Sequence, residues 1–60
     1  MEMKYAVCVY LPTTKHEILT DDYNIAWDIY HAMIQKYARM KVAIEIVDLA
    51  TGEIFQTNYD

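Results

Sequence analysis

The feature of this sequence that most restricts its fold is a long segment, residues 21–40, that contains neither glycine nor proline. A helix over this segment would be roughly 30 Å long, at ~1.5 Å per residue. Thr20 is a suitable N-cap, and Asp21 and Asp22 place negative charge at the positive end of the helix dipole. Arg39 lies at the opposite end, where positive charge is favoured. The sequence therefore predicts one long helix over residues 21–40.

One side of this predicted helix is apolar over an unusually wide arc. At ~100° per residue the apolar arc spans about 180°, whereas a helix packed on one surface needs only about 100°. In order around the axis, the arc holds Ile29, Met40, Met33, Ala26, Tyr37, Tyr30, Tyr23, Ile34, Trp27 and Ala38. We expect the edge with Ile29, Met33 and Met40 to pack on a sheet. The edge that carries tryptophan and tyrosine is then left over for a contact with another molecule.

The segments on both sides of the helix have the composition of β-strands. Residues 4–11 are rich in valine and tyrosine and apolar on both faces, which predicts a central strand. Residues 15–19 form either a short second strand or merely the approach to the helix, and we favour the strand. Residues 41–47 predict a further strand. The single glycine of the chain lies in residues 48–53, which predict a hairpin loop, and residues 54–59 return as the last strand.

Together these elements predict an α+β domain with the order β(β)αββ. One long amphipathic helix should pack on one face of a small three- or four-stranded sheet. We expect residues 1–60 to form a single domain, because the chain is too short for two. If the strand over residues 4–11 lies beside the strand over residues 41–47, a right-handed crossover would make the two parallel.

The predicted hairpin also has a preferred register, because a slip by one residue would scatter its apolar side chains over both faces. The expected pairs are Val47 with Ile54, Ile46 with Phe55, Ile44 with Thr57, and Val42 with Tyr59. The expected core consists of Val7, Val9, Leu11, Ala26, Ile29, Tyr30, Met33, Tyr37, Val42, Ile44, Ile46 and Phe55.

The length of the chain makes a partner subunit expected. A core built from 60 residues rarely supplies more than roughly 3–5 kcal/mol, and domains of this size usually add disulfides, a metal or a partner. Cys8 is the only cysteine, so no disulfide can form within the chain. We therefore expect a homo-oligomer, most simply a dimer. No apolar run approaches the ~20 residues of a membrane span and the N-terminus lacks a signal-peptide layout, so we expect a cytoplasmic protein with no membrane contact.

Residues that commonly carry catalysis form no recognisable site in the sequence. Cys8 lies in the middle of a predicted strand, a position typical of a buried and inert thiol. His16 and His31 lack the further ligands at suitable spacing that a zinc site needs. Glu45 is expected to point outward from a solvent-facing or edge strand. A chain with one glycine cannot form a glycine-rich phosphate loop. We expect no catalytic residue, no cofactor, no metal and no enzymatic activity.

The charge and the aromatic pattern together favour a protein that acts by binding other molecules. The net charge is −4 and the five basic residues form no run, which disfavours direct binding to nucleic acid. Aromatic residues are enriched at the centres of interfaces. The interface candidates are Tyr23, Trp27, Tyr30, Ile34 and Tyr37.

These features lead to three functional hypotheses. The first is a small non-enzymatic module, an adaptor or inhibitor, that acts as a homodimer and blocks a second protein. Its compact, acidic sequence is typical of phage and mobile-element genes, which would make the target a host macromolecule. The second is a binder of a small molecule or nucleotide, with a flat ring held by aromatic side chains at a dimer seam. An enzyme assembled between subunits ranks last.

Overall fold

The structure is a computed structural model that describes residues 2–59, and it consists of one helix on one side of a four-stranded sheet. The elements in chain order are β1 (Tyr5–Tyr10), β2 (Lys15–Thr20), α1 (Tyr23–Lys36), β3 (Ala43–Asp48) and β4 (Ile54–Thr57). This α+β architecture confirms the predicted order of elements. The short strand before the helix is present, so the sheet has four strands.

The strands lie in the order β2-β1-β3-β4, and every neighbouring pair is antiparallel. The expectation of a parallel pair on either side of the helix is wrong for β1 and β3, in which Tyr5 lies opposite Asp48 and Tyr10 opposite Ala43. The reason is β2, which reverses the chain before the helix begins. The crossover through α1 therefore joins β2 to β3, which run in the same direction with β1 between them.

The helix is shorter than the sequence predicts and begins at a different cap. Asp22, not Thr20, is the N-cap, and its carboxylate accepts from the backbone N–H groups of Asn24 at 2.8 Å and Ile25 at 3.1 Å. The helix has 14 residues and ends at Lys36, four residues before the predicted end. Its length of roughly 21 Å matches a six-residue strand of roughly 20 Å. A longer helix would carry the chain past the sheet, so the chain turns back to enter β3.

The β3–β4 hairpin contains an irregularity that changes its register. Val47 lies opposite Ile54 as predicted, but the bulge next to this pair places Ile46 opposite Gln56 and Glu45 opposite Thr57. The expected pairs of Ile46 with Phe55 and Ile44 with Thr57 are therefore wrong, and the pairing described for β3 and β4 does not reach the expected pair of Val42 with Tyr59. The ring of Phe55 instead lies near two rings on the helix side of the sheet, those of Tyr5 and Tyr23.

The core lies between the helix and the two central strands. Its buried members are Val7, Val9, Ala26, Tyr30, Ile44 and Ile46. Partly buried apolar residues packed against them are Tyr5, Leu11, Trp27, Ile29, Met33, Ile34, Tyr37 and Val42. Among the predicted core residues the exception is Phe55, which is 39% exposed because it lies on the edge strand β4. Over the described residues, the helix is not long and apolar enough to cross a membrane.

Candidate functional site

Most of the apolar arc of the helix packs into the protein's own core. Of the five interface candidates, Tyr30 is buried, Trp27, Ile34 and Tyr37 are half-buried, and Tyr23 is exposed. The expected division of the arc into a packed edge and a free edge is wrong, because Ile29 and Met33 on one edge are half-buried just as Trp27 and Ile34 are on the other. Met40, expected on the packed edge, lies beyond the end of the helix and is exposed. A four-stranded sheet is wide enough to receive both edges.

The aromatic side chains on the helix side form one connected cluster. The ring centroids of Tyr23 and Trp27 are 6.2 Å apart and those of Trp27 and Tyr30 are 5.7 Å apart, both with edge-to-face geometry. Tyr23 also meets Tyr5 at 5.6 Å and Phe55 at 5.9 Å. Edge-to-face pairs of this kind add stability beyond the area they bury. The exposed part of this cluster is centred on Tyr23, and whether it contacts another molecule stays a prediction.

The second surface is the face of the sheet opposite the helix, which the described residues 2–59 leave uncovered; we call it the open face. The register of the strands places Leu19, Ala6, Val47 and Ile54 in one line across all four strands. We call this line the apolar row. Ala6 in its middle is buried because its side chain is small, whereas Leu19 and Ile54 at its two ends are 46% and 48% exposed. The open face therefore presents aliphatic surface to solvent on both edge strands.

At the centre of the open face lies a buried carboxylate, that of Glu45, which is only 5% exposed. The phenols of Tyr10 and Tyr59 both donate hydrogen bonds to it, one to each oxygen, and the Tyr59 bond is 2.9 Å long. The expected outward, solvent-facing Glu45 is therefore wrong in its burial, although the side chain does point away from the helix. These hydrogen bonds raise the pKa of Tyr10 and of Tyr59, because an ionised phenol could no longer donate to the carboxylate.

Beside Glu45 on the same line of the sheet lies Cys8, and beyond it Glu17 on β2. Burial raises the pKa of the Cys8 thiol, which also donates a long hydrogen bond of 3.8 Å to the Glu17 carboxylate. The prediction of a buried cysteine is confirmed. Lys15 completes the surface on β2, with its ammonium 3.6 Å from Glu17 and 5.3 Å from the centre of the Tyr10 ring.

The remaining features of the surface offer few groups that could bind a ligand or take part in a reaction. A shallow, open groove of about 330 Å³ lies at the start of β1, lined by residues 2–5 and 48–50. His16 and His31 are both exposed, and the His31 ring lies 5.7 Å from that of Trp27. Within residues 2–59, no three side chains of histidine, cysteine, aspartate or glutamate converge as a metal site would require.

The exposed aliphatic side chains of the open face are not evident from the sequence, because the widest apolar arc lies on the helix. A signal was present: Ala6 and Cys8 alternate with Val7 and Val9 on the central strand, and small side chains on one face allow neighbouring residues to close over them. The sequence could not show that phenols two strands apart, Tyr10 on β1 and Tyr59 after β4, would meet at one carboxylate.

Comparison with known proteins finds no matching family model, no matching curated protein and no matching solved structure. The function is therefore inferred from two exposed surfaces, the aromatic cluster around Tyr23 and the open face of the sheet.

Proposed function

We propose that the protein is a small non-enzymatic protein-binding module that works in the cytoplasm as a homodimer. It binds a second protein through the open face of its sheet and acts as an adaptor or an inhibitor. A phage or mobile-element origin, with a host macromolecule as the target, belongs to the same proposal. The observation that carries it is the aliphatic surface of the open face, with both ends of the apolar row about half exposed.

The open face suits this role better than the helix does. The helix directs most of its apolar arc into the core, so its remaining apolar surface is scattered: Ile25 lies on one side of the helix and Tyr23 on another. On the open face, by contrast, the aliphatic side chains lie in one line across the sheet, with Leu19 and Ile54 exposed at its two ends. Apolar side chains that a small domain leaves exposed on one face commonly mark an interaction site.

Charge gives this surface a preference for its partner. The carboxylate of Glu17 lies half exposed beside the apolar row, and the whole chain carries a net charge of −4. A partner that brings a lysine or arginine side chain next to an apolar patch would match both features. We therefore expect the target to be a protein with a basic, partly apolar surface.

The test uses two substitutions matched in chemistry and exposure. Ile54 on the open face and Ile25 on the helix are each 48% exposed, so Ile54→Lys and Ile25→Lys make the same change on opposite sides of the protein. Each immobilised variant is used to capture proteins from a lysate of the source cell. The proposal expects one dominant protein that binds the wild type and Ile25→Lys but is lost with Ile54→Lys. Equal loss or equal retention in both variants would contradict it.

A second candidate function has one observation in its favour, the exposed ring of Tyr23 beside Trp27. Such a pair could stack a flat ring such as a nucleobase. Within one chain, however, these rings meet at 75°, whereas a sandwiched base needs two parallel rings. The base would have to be held between two copies. This candidate expects purified protein to carry a ligand that absorbs near 260 nm, and Tyr23→Ala to lose it; protein free of such a ligand would speak against it.

A further inference from the structure

We infer that the homodimer forms through β2, which pairs antiparallel with β2 of a second copy and joins the two sheets into one sheet of eight strands. This inference rests on the proposed homodimer and adds the surface, the orientation and the register. It is carried by three observations: the regularity of the β2 edge, the direction of its free backbone groups, and the order of charges along it.

The two edge strands of the sheet, β2 and β4, differ in how well each could pair with a further strand. β2 has six residues, each paired with β1 in an unbroken register from Tyr5 opposite Thr20 to Tyr10 opposite Lys15. β4 has four residues, and its ladder is interrupted by a bulge. Bulges and short edge strands are the devices by which proteins prevent unwanted strand pairing. Of the two edges, therefore, β2 is the more regular one, and its charged side chains, Lys15 and Glu17, restrict it to a strand of complementary charge.

The hydrogen bonds of the sheet determine which β2 groups point outward. The N–H of Leu11 donates to the carbonyl of Thr14 at 2.8 Å, which makes this a hydrogen-bonded pair. In an antiparallel ladder such pairs alternate with pairs whose N–H and C=O groups face away from each other. Following the register along β2, Lys15, Glu17 and Leu19 belong to the second kind. Their backbone groups point away from β1, on the outer edge where a further strand would bind.

The charges on these outward residues favour one arrangement of two copies. If His16 lies on the two-fold axis, Lys15 of each copy lies directly opposite Glu17 of the other, and the dimer gains two opposite-charge cross-strand pairs. If Glu17 lies on the axis instead, the two Glu17 carboxylates face each other, which is unfavourable. The sequence Lys15-His16-Glu17 is therefore complementary to itself when read in the antiparallel direction. This self-complementarity is the reason to name a second copy as the partner.

Such a dimer also extends the proposed binding surface. The side chains of Lys15, Glu17 and Leu19 lie on the open face, so pairing through β2 places the two open faces side by side on the same side of the eight-stranded sheet. The contact itself is narrow, because with His16 on the axis only residues 15–17 of the two β2 strands lie opposite each other, over roughly 10 Å. Narrow interfaces of this kind give weak, concentration-dependent association.

The test is a charge-exchange cycle read by sedimentation equilibrium. Lys15→Glu and Glu17→Lys each turn two attractive pairs into two repulsive ones, and each should weaken dimerisation roughly tenfold. The double variant, Lys15→Glu with Glu17→Lys, restores the attraction and should dimerise within roughly threefold of the wild type. The melting temperature of each variant at low concentration controls for the loss of the ion pair within one chain.

Amide hydrogen exchange supplies an independent readout on the wild-type protein. The amides of Lys15 and Glu17, which face β2 of the other copy in this register, should exchange more slowly as the protein concentration rises, whereas amides on the outer edge of β4 should not change. A dimer whose β2 amides stay unprotected, or one that the double variant does not restore, would overturn the β2 inference while the homodimer stands. A protein that stays monomeric at every concentration would overturn both.

Discussion

At the scale of single residues, the best-defined group is the carboxylate of Glu45, which lies almost buried on the open face of the sheet. A buried carboxylate is costly unless hydrogen bonds replace its water, and the phenols of Tyr10 and Tyr59 provide them. The two rings also cover the carboxylate from opposite sides, since Tyr10 comes from β1 and Tyr59 follows β4. This arrangement links the end of the chain to the central strand.

The hydrogen bond from Tyr10 makes the stability of the protein depend on pH in the alkaline range. The pKa of Tyr10 is raised above its ordinary value of 10.0 in the folded protein, so the unfolded chain releases this proton more readily. The stability that this bond contributes is complete below about pH 10 and is lost as the pH rises toward the folded pKa. Tyr10→Phe should lower the free energy of unfolding by about 1 kcal/mol at pH 7 and should weaken the alkaline decline.

The measurement is urea unfolding at a series of pH values from 7 to 11, with Tyr23→Phe as the control. Tyr23 lies on the helix side of the sheet, where its ring contacts Tyr5 and Trp27. Its variant should keep the alkaline decline of the wild type. If Tyr10→Phe and wild type lost stability in parallel above pH 10, the hydrogen bond to Glu45 would not be the cause.

The burial of Cys8 follows from sequence alone, because a cysteine among valines on a strand that is apolar on both faces has nowhere else to lie. The burial of Glu45 does not follow from sequence. A glutamate between alternating apolar residues is typical of an exposed face, and only the positions of Tyr10 and Tyr59 in space remove it from water.

At the scale of elements, the start of the helix depends on one side chain. The carboxylate of Asp22 accepts from two backbone N–H groups of the first turn, while the hydroxyl of Thr20 accepts from the N–H of Asp22 at 3.2 Å. Thr20 therefore holds the cap residue and does not itself cap the helix. The sequence leaves this choice open, because both residue types are good caps and their positions differ by only two.

Replacing Asp22 should therefore destabilise the protein more than replacing its neighbour. Asp22→Ala leaves two N–H groups of the first turn without their partner and should cost about 1 kcal/mol, or about 4–8 °C in melting temperature for a domain of this size. Asp21→Ala removes the same charge from an exposed position outside the cap and should change stability by less than about 0.5 kcal/mol. Thermal unfolding followed by circular dichroism compares the two. Equal effects would mean that only the charge matters.

The sequence predicts the helix and three of the strands from clear apolar periods, and it favours β2 only weakly, because residues 15–19 contain just two apolar side chains, Ile18 and Leu19. The direction of β1 relative to β3 does not follow from the sequence, because it depends on whether residues 15–19 form a strand that reverses the chain. The end of the helix and the bulge beside Val47 are determined by tertiary packing: the helix stops where the sheet stops, and Phe55 turns toward the aromatic rings.

At the scale of the whole molecule, the apolar surface that we propose for binding lies on the open face of the sheet and not, as the sequence predicts, on the helix. The sequence suggested a helix with more apolar circumference than the sheet could cover. The strand β2 widens the sheet, and most of the apolar arc of the helix packs on it, while residues 2–59 leave the other face of the same sheet uncovered. A chain of 60 residues gains stability from any partner that covers this face or extends it. The proposals of a dimer and of a bound target protein both follow from this.

The central claim is that this protein works by contact, beginning with a second copy of itself. The most direct test is sedimentation equilibrium of the wild-type protein from about 10 μM to about 1 mM. The measurement is made at physiological ionic strength, where charge repulsion between copies is screened beyond about 8 Å. The account expects the average mass to rise from the 7.1 kDa of one chain toward twice that value as the concentration increases. A mass that stays at that of a single chain over the whole range would contradict it.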